Sequence, residues 1–139
     1  MATTVSDVMT RNPETVEAGE PVAEAARRMR DADIGDVLVL DNGRVVGILT
    51  DRDIAVRVVA EGKDSSTPVR EACSAGDLQT VAPDTSLQQA VQLMRSNAVR
   101  RLPVVENDRA VGILSLGDIA IEQDETSALA DISAAEPND

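Results

Sequence analysis

The apolar positions of this chain change their period in a fixed order, and they do so twice. Val22, Ala25, Ala26 and Met29 stand at i, i+3, i+4 and i+7, a single stripe along one face of a helix. Leu87, Ala90, Val91 and Met94 repeat that stripe further on. Each helix is followed by two short apolar runs, at 37–40 and 45–49 and again at 102–105 and 110–114. These predict paired strands. "DNG" between the first two is a strong hairpin signal, and "END" takes its place in the second pair. A short extended piece ending at Thr15-Val16 or Thr80-Val81 precedes each helix, and a second helix starts near Thr50 or Ser115. Pro21 suits a first helical turn, and Thr85 with Gln88 has capping-box spacing. The repeated unit is therefore β-α-β-β-α.

The repetition extends to the residues themselves. "GILTDRDIA" begins at Gly47 and "GILSLGDIA" at Gly112, 65 positions later. The offset holds back to Thr15-Val16 and Thr80-Val81, with roughly a third of the positions identical, which is self-similarity at a fixed spacing. One extra residue before Thr80 breaks the register, and beyond it "VSDVM" at Val5 matches "VREAC" at Val69. The chain divides into repeat one (1–62), a polar linker ending in Pro68 (63–68), repeat two (69–122) and an acidic tail (123–139). The tail holds a short helix around 127–132 or is loose. A unit of about 55 residues is marginal alone. Pairing two copies about a pseudo-twofold axis buries the open face of each sheet and leaves two clefts between them. The fold class expected is α/β.

Composition narrows the chemistry. The chain of 139 residues has no Phe, Tyr or Trp, so Val, Ile, Leu, Ala and Met fill the core and no ring is available to stack on a base. A net charge of −12 argues against nucleic acid and acidic membranes, although about half of it lies beyond Ile121. There is no His and one Cys, which leaves carboxylates almost alone for a zinc site and excludes a Cys–His pair and an internal disulfide. Cys73 aligns with Met9, which marks it as a small core residue. No signal peptide and no membrane-spanning run is evident, and the expected location is the cytoplasm. Neither a catalytic constellation nor a metal site is expected.

The repeated motif carries the candidate chemistry: Gly47, Thr50 and Asp53, then Gly112, Ser115 and Asp118. A structural role accounts for it, since Thr50 or Ser115 makes a good N-cap, an Asp three residues on completes a capping box, and the glycine lets strands approach closely. A ligand role uses the same geometry. Free N–H groups and a hydroxyl at a helix start suit phosphate, and a carboxylate one turn in can accept from two ribose hydroxyls.

With these residues in hand, the repeat resembles the cystathionine-beta-synthase (CBS) domain, and the tandem resembles a CBS pair, or Bateman module. The most specific pieces are "IGDVLVLDNGRVVGILTDRDIA" and "VRRLPVVENDRAVGILSLGDIA". The tandem resembles the small stand-alone CBS-pair proteins of actinobacteria. The resemblance implies an adenosine nucleotide (AMP, ADP or ATP), S-adenosylmethionine or a related ligand in the clefts, and a homodimer. It implies that Asp53 and Asp118 hold ribose hydroxyls and that Thr50 and Ser115 reach ribose or phosphate. Thr15, Val16, Thr80, Val81, Val37, Leu102 and Pro103 would border the purine.

The two clefts are not expected to be equivalent. Arg100 and Arg101 precede Leu102-Pro103, where repeat one has Gly35-Asp36, and Leu38 replaces the proline. Arg52, Arg100 and Arg101 are the candidate phosphate partners. The function expected is a non-catalytic regulatory module sensing an adenosine nucleotide for a separate, unnamed protein. The alternative is a ligand-free dimeric scaffold.

Overall fold

A computed structural model gives the structure of the chain and describes residues 3–73 and 78–122. The elements run α1 (Val5–Val8), β1 (Thr10–Arg11), β2 (Thr15–Glu17), α2 (Val22–Ala32), β3 (Asp36–Asp41), β4 (Arg44–Thr50) and α3 (Asp51–Ile54). A single π-helical turn, Ala55–Val59, prolongs α3, and a 3₁₀ turn spans Val69–Glu71. Then come α4 (Leu87–Asn97), β5 (Arg101–Glu106) and β6 (Arg109–Ser115), with helix again over 116–122. The tail beyond 122, where a short helix was expected around 127–132, lies outside the described residues.

Each repeat builds its own sheet. In repeat one β2 runs parallel to β3, which pairs antiparallel with β4. In repeat two β5 and β6 form the same hairpin, and Val81 makes a single parallel bridge to Val104 in place of β2. Both hairpins slip register at the same point, between Val39 and Leu40 and between Val104 and Val105. The strands reach one residue further at each end than the apolar runs, because backbone pairing continues past the last buried side chain. The cap of α4 also moves by one: Ser86, not Thr85, accepts from the Gln89 N–H (3.1 Å), while Thr85 accepts from Ala82 N–H in the preceding turn (3.0 Å).

Three consecutive residues are buried in β3 and in its counterpart β5: Val37, Leu38 and Val39, and Leu102, Pro103 and Val104. Side chains alternate across a strand, so both faces of these strands are covered. Val37 and Val39 pack against the helices of repeat one, and Leu102 and Val104 against those of repeat two. Leu38 and Pro103 fall on the opposite faces, where β4 contacts β5 and β6. That arrangement buries the faces a lone repeat would leave open.

The leading segment of each repeat crosses to the other. Val5 and Met9 belong to the core of repeat two, while Val69, Ala72 and Cys73 belong to the core of repeat one. The crossings mirror each other in hydrogen bonds: Val5 N–H donates to Thr85 O (2.9 Å) and Leu87 N–H to Thr3 O (2.9 Å), while Val69 N–H donates to Glu20 O (2.8 Å) and Val22 N–H to Thr67 O (2.8 Å). β1 lies antiparallel on β6, pairing Arg11 with Gly112. A Cβ on Gly112 would stand 2.9 Å from the Thr10 carbonyl oxygen and 2.5 Å from the Met9 sulfur. The motif glycine of repeat two is therefore required by the crossing strand. Cys73 sits at the Met9 position of its own crossing, and burial raises its thiol pKa, which suits a core role.

Candidate functional site

The repeated motif folds into the same reciprocal hydrogen-bond pair twice. Thr50 Oγ1 accepts from the Asp53 N–H (3.0 Å), and Asp53 Oδ2 accepts from the Thr50 N–H (2.9 Å). Ser115 Oγ accepts from the Asp118 N–H (2.9 Å), and Asp118 Oδ2 accepts from the Ser115 N–H (3.1 Å). The structural role expected of the motif is thus realised in both copies. Each cap uses one carboxylate oxygen. Asp53 Oδ1 lies 4.0 Å from Arg57 Nε, and Asp118 keeps its second oxygen as an acceptor.

Arg100, Arg101 and Ser115 come together with Leu116, Gly117 and Ala120 around a cleft of about 330 Å³. Arg100 is exposed. Arg101 is already engaged: its Nε donates to Asp36 Oδ2 at 2.6 Å. Asp36 in turn lines a second, more enclosed cleft of about 320 Å³ with Thr10, Pro13, Glu14, Ile34, Val37 and Ile113. The ion pair therefore joins two cavities, one rimmed by arginines and the other walled mainly by aliphatic side chains from both repeats.

The remaining candidates are placed elsewhere. Thr80 and Val81 line a separate cleft of about 610 Å³ beside Val105, Asn107 and Asp108, near the β5–β6 turn. They do not border the Ser115 cleft, because Val81 bridges to Val104, three residues along β5 from Arg101. Val16 on β2 and Leu102 and Pro103 on β5 are buried in the core and line none of these clefts. The Thr15 carbonyl accepts from Arg28, which also pairs with Glu20 and Glu24. Arg52 is exposed on α3. Sequence reasoning missed the wall contributed by Thr10, Pro13, Glu14 and Ile34, since only the crossing of β1 onto β6 brings it there. The one available signal was the contrast of Asp36 with Arg101 at matching positions.

Two stretches of this chain, residues 5–60 and 69–125, match the family model of the CBS domain. The chain is a tandem CBS-domain protein. It is 43% identical over 119 residues to the CBS domain-containing protein YhcV of Bacillus subtilis, covering 86% of this chain and 84% of YhcV. It is 35% identical over 119 residues to Hypoxic response protein 1 of Mycobacterium tuberculosis, covering 85% of this chain and 83% of that protein. The crystal structure of Hypoxic Response Protein I with two coordinated zinc ions matches with a TM-score of 0.75 and 36% identity, over 86% of this chain and 98% of that one. The CBS pair of MJ0100 in complex with 5′-methylthioadenosine and S-adenosyl-L-methionine matches with a TM-score of 0.79 and 25% identity, over 91% and 99%. Among the described residues the donors do not suit a zinc site. This CBS pair has no His, its one thiol is buried, and among the described residues no three Cys, Asp or Glu side chains converge. Among those residues, too, no helix is long and apolar enough to cross a membrane.

Proposed function

We propose that this CBS pair is a cytoplasmic regulatory module that senses an adenosine nucleotide and acts by binding rather than by catalysis. The observation that carries this reading is the cleft that Ser115 shares with Arg100 and Arg101: two guanidinium groups and the capping hydroxyl line it, and the Asp118 carboxylate is bonded to the Ser115 N–H through one oxygen only. The carboxylate suits ribose hydroxyls and the guanidinium groups suit phosphate. The adjoining aliphatic cleft suits the flat base without an aromatic platform. The adenosine-containing ligands of the MJ0100 pair support the ligand class. One observation favours the scaffold alternative: both motifs are complete helix caps, so the repeated residues already have structural work.

Calorimetric titration of AMP and ATP separates the two readings, with mass spectrometry of any small molecule released when the purified protein is denatured. The expected result is saturable binding of at least one nucleotide and a rise in melting temperature. At a hundred times the dissociation constant, the ligand adds about 2.7 kcal/mol to the folded state. Silence in both measurements rejects the sensor and leaves the scaffold.

The protein is also proposed to be a homodimer, and the helix stripes through Met29 and Met94 are not available for its interface. Those side chains are buried in the cores of their own repeats. Among the described residues, the exposed large apolar side chains on helices are Val56 and Val59 on the π-helical turn after α3, and Leu116 and Ile121 on the helix over 116–122. Light scattering at tens of micromolar is expected to give twice the chain mass, with Val59→Asp shifting it toward the monomer. A monomeric parent protein at that concentration removes the claim.

A further inference from the structure

Asp36 and Arg101 are the same position of the two repeats, 65 residues apart, yet they carry opposite charge and are bonded to each other. The surrounding residues continue the reversal. Repeat two presents Arg100, Arg101 and Leu116 where repeat one presents Gly35, Asp36 and Asp51. The Asp51 carboxylate stands over Gly35, close enough that a Cβ there would lie 3.2 Å from its Oδ2. The backbone frame is nonetheless shared: Asp51 N–H donates to Gly35 O (2.9 Å), as Leu116 N–H does to Arg100 O (2.8 Å). Two matching frames thus carry contrasting side chains, arginines in one and carboxylates in the other.

We propose that Asp36 determines charge selectivity in this protein: it is an internal rival for the phosphate of the ligand at Arg101, and its own repeat turns phosphate away. The proposal rests on the nucleotide reading above. A phosphate entering beside Arg100 and Ser115 must share or take the guanidinium that Asp36 holds at 2.6 Å. The phosphate of a nucleoside monophosphate carries close to two negative charges at neutral pH and offers three oxygens, so it can win the exchange that a single carboxylate now holds. A neutral nucleoside has nothing to offer Arg101 and leaves the pair intact. When Arg101 turns to phosphate, Asp36 keeps an unpaired charge in a partly enclosed wall, and that penalty is charged against phosphorylated ligands alone. At the repeat-one frame, the Asp51 carboxylate stands over Gly35 and disfavours an anion. One phosphorylated ligand per chain follows, with an affinity that Asp36 holds down.

The test is calorimetric titration of AMP and of adenosine into the parent protein, Asp36→Asn and Arg101→Gln, with a melting curve for each to establish folding. Asp36→Asn is expected to tighten AMP about five- to tenfold, the scale of a partly exposed charge-assisted contact, and to move adenosine less than about twofold. Arg101→Gln is expected to weaken AMP about tenfold or more with adenosine unchanged. AMP should fill one site per chain. Unchanged or weaker AMP binding in Asp36→Asn, an equal gain for adenosine, or two AMP sites per chain overturns the proposal while leaving the nucleotide reading standing. If neither ligand binds the parent or Asp36→Asn, the nucleotide reading itself is lost, and this selectivity with it.

Discussion

Val5→Asp is expected to collapse repeat two, although residue 5 opens repeat one. Val5 has no exposed surface and packs among Val81, Ala90, Met94, Leu102, Val104 and Leu114, with no polar partner in that cluster. A carboxylate placed there is stranded unless it is protonated or expelled, and expulsion undoes the crossing segment. Either course costs about 4 kcal/mol or more. A domain of this size has about 5–15 kcal/mol in total, so the melting temperature should fall by about 10–20 °C if a transition survives. Hydrogen exchange locates the damage: protection should be lost first in α4, β5 and β6, before α2 and β3. Val69→Asp should show the reverse order, since Val69 is as deeply buried in the core of repeat one. Loss confined to the repeat that carries each substitution is incompatible with the crossing.

Asp118 has the largest expected effect on ligand affinity, and its place in the cap dictates how it must be tested. The pair with Ser115 means that Asp118→Ala removes one of two reciprocal hydrogen bonds, the one its carboxylate accepts from the Ser115 N–H, and should cost up to about 1 kcal/mol of stability. Asp118→Asn keeps an amide oxygen to accept from the Ser115 N–H and loses only the charge, so it should melt close to the parent. Both should weaken the nucleotide by about ten- to a hundredfold, the worth of a charged acceptor for ribose hydroxyls. Equal affinity in Asp118→Asn and the parent would show that the carboxylate serves the cap alone.

What the sequence by itself determined is whatever depends on neighbours along the chain. Apolar spacing identified α2 and α4, alternation and turn residues identified both hairpins, and the 65-residue offset identified the repeat. The cap chemistry of Thr50–Asp53 and Ser115–Asp118 was equally readable, because a capping box needs only four consecutive residues. The tertiary structure decided which repeat each segment completes. Val5 and Val69 carry the same local signal whether they pack at home or across, and only the shape of the partner core distinguishes the two. It also decided the company of Arg101. Read along the chain, Arg101 is a cation beside a motif; folded, it is half of a pair with Asp36, because the pseudo-twofold brings equivalent positions face to face. The structure likewise decided that Thr80 and Val81 line a cleft apart from Ser115: strand partners set their address, and partners distant in sequence leave no local trace.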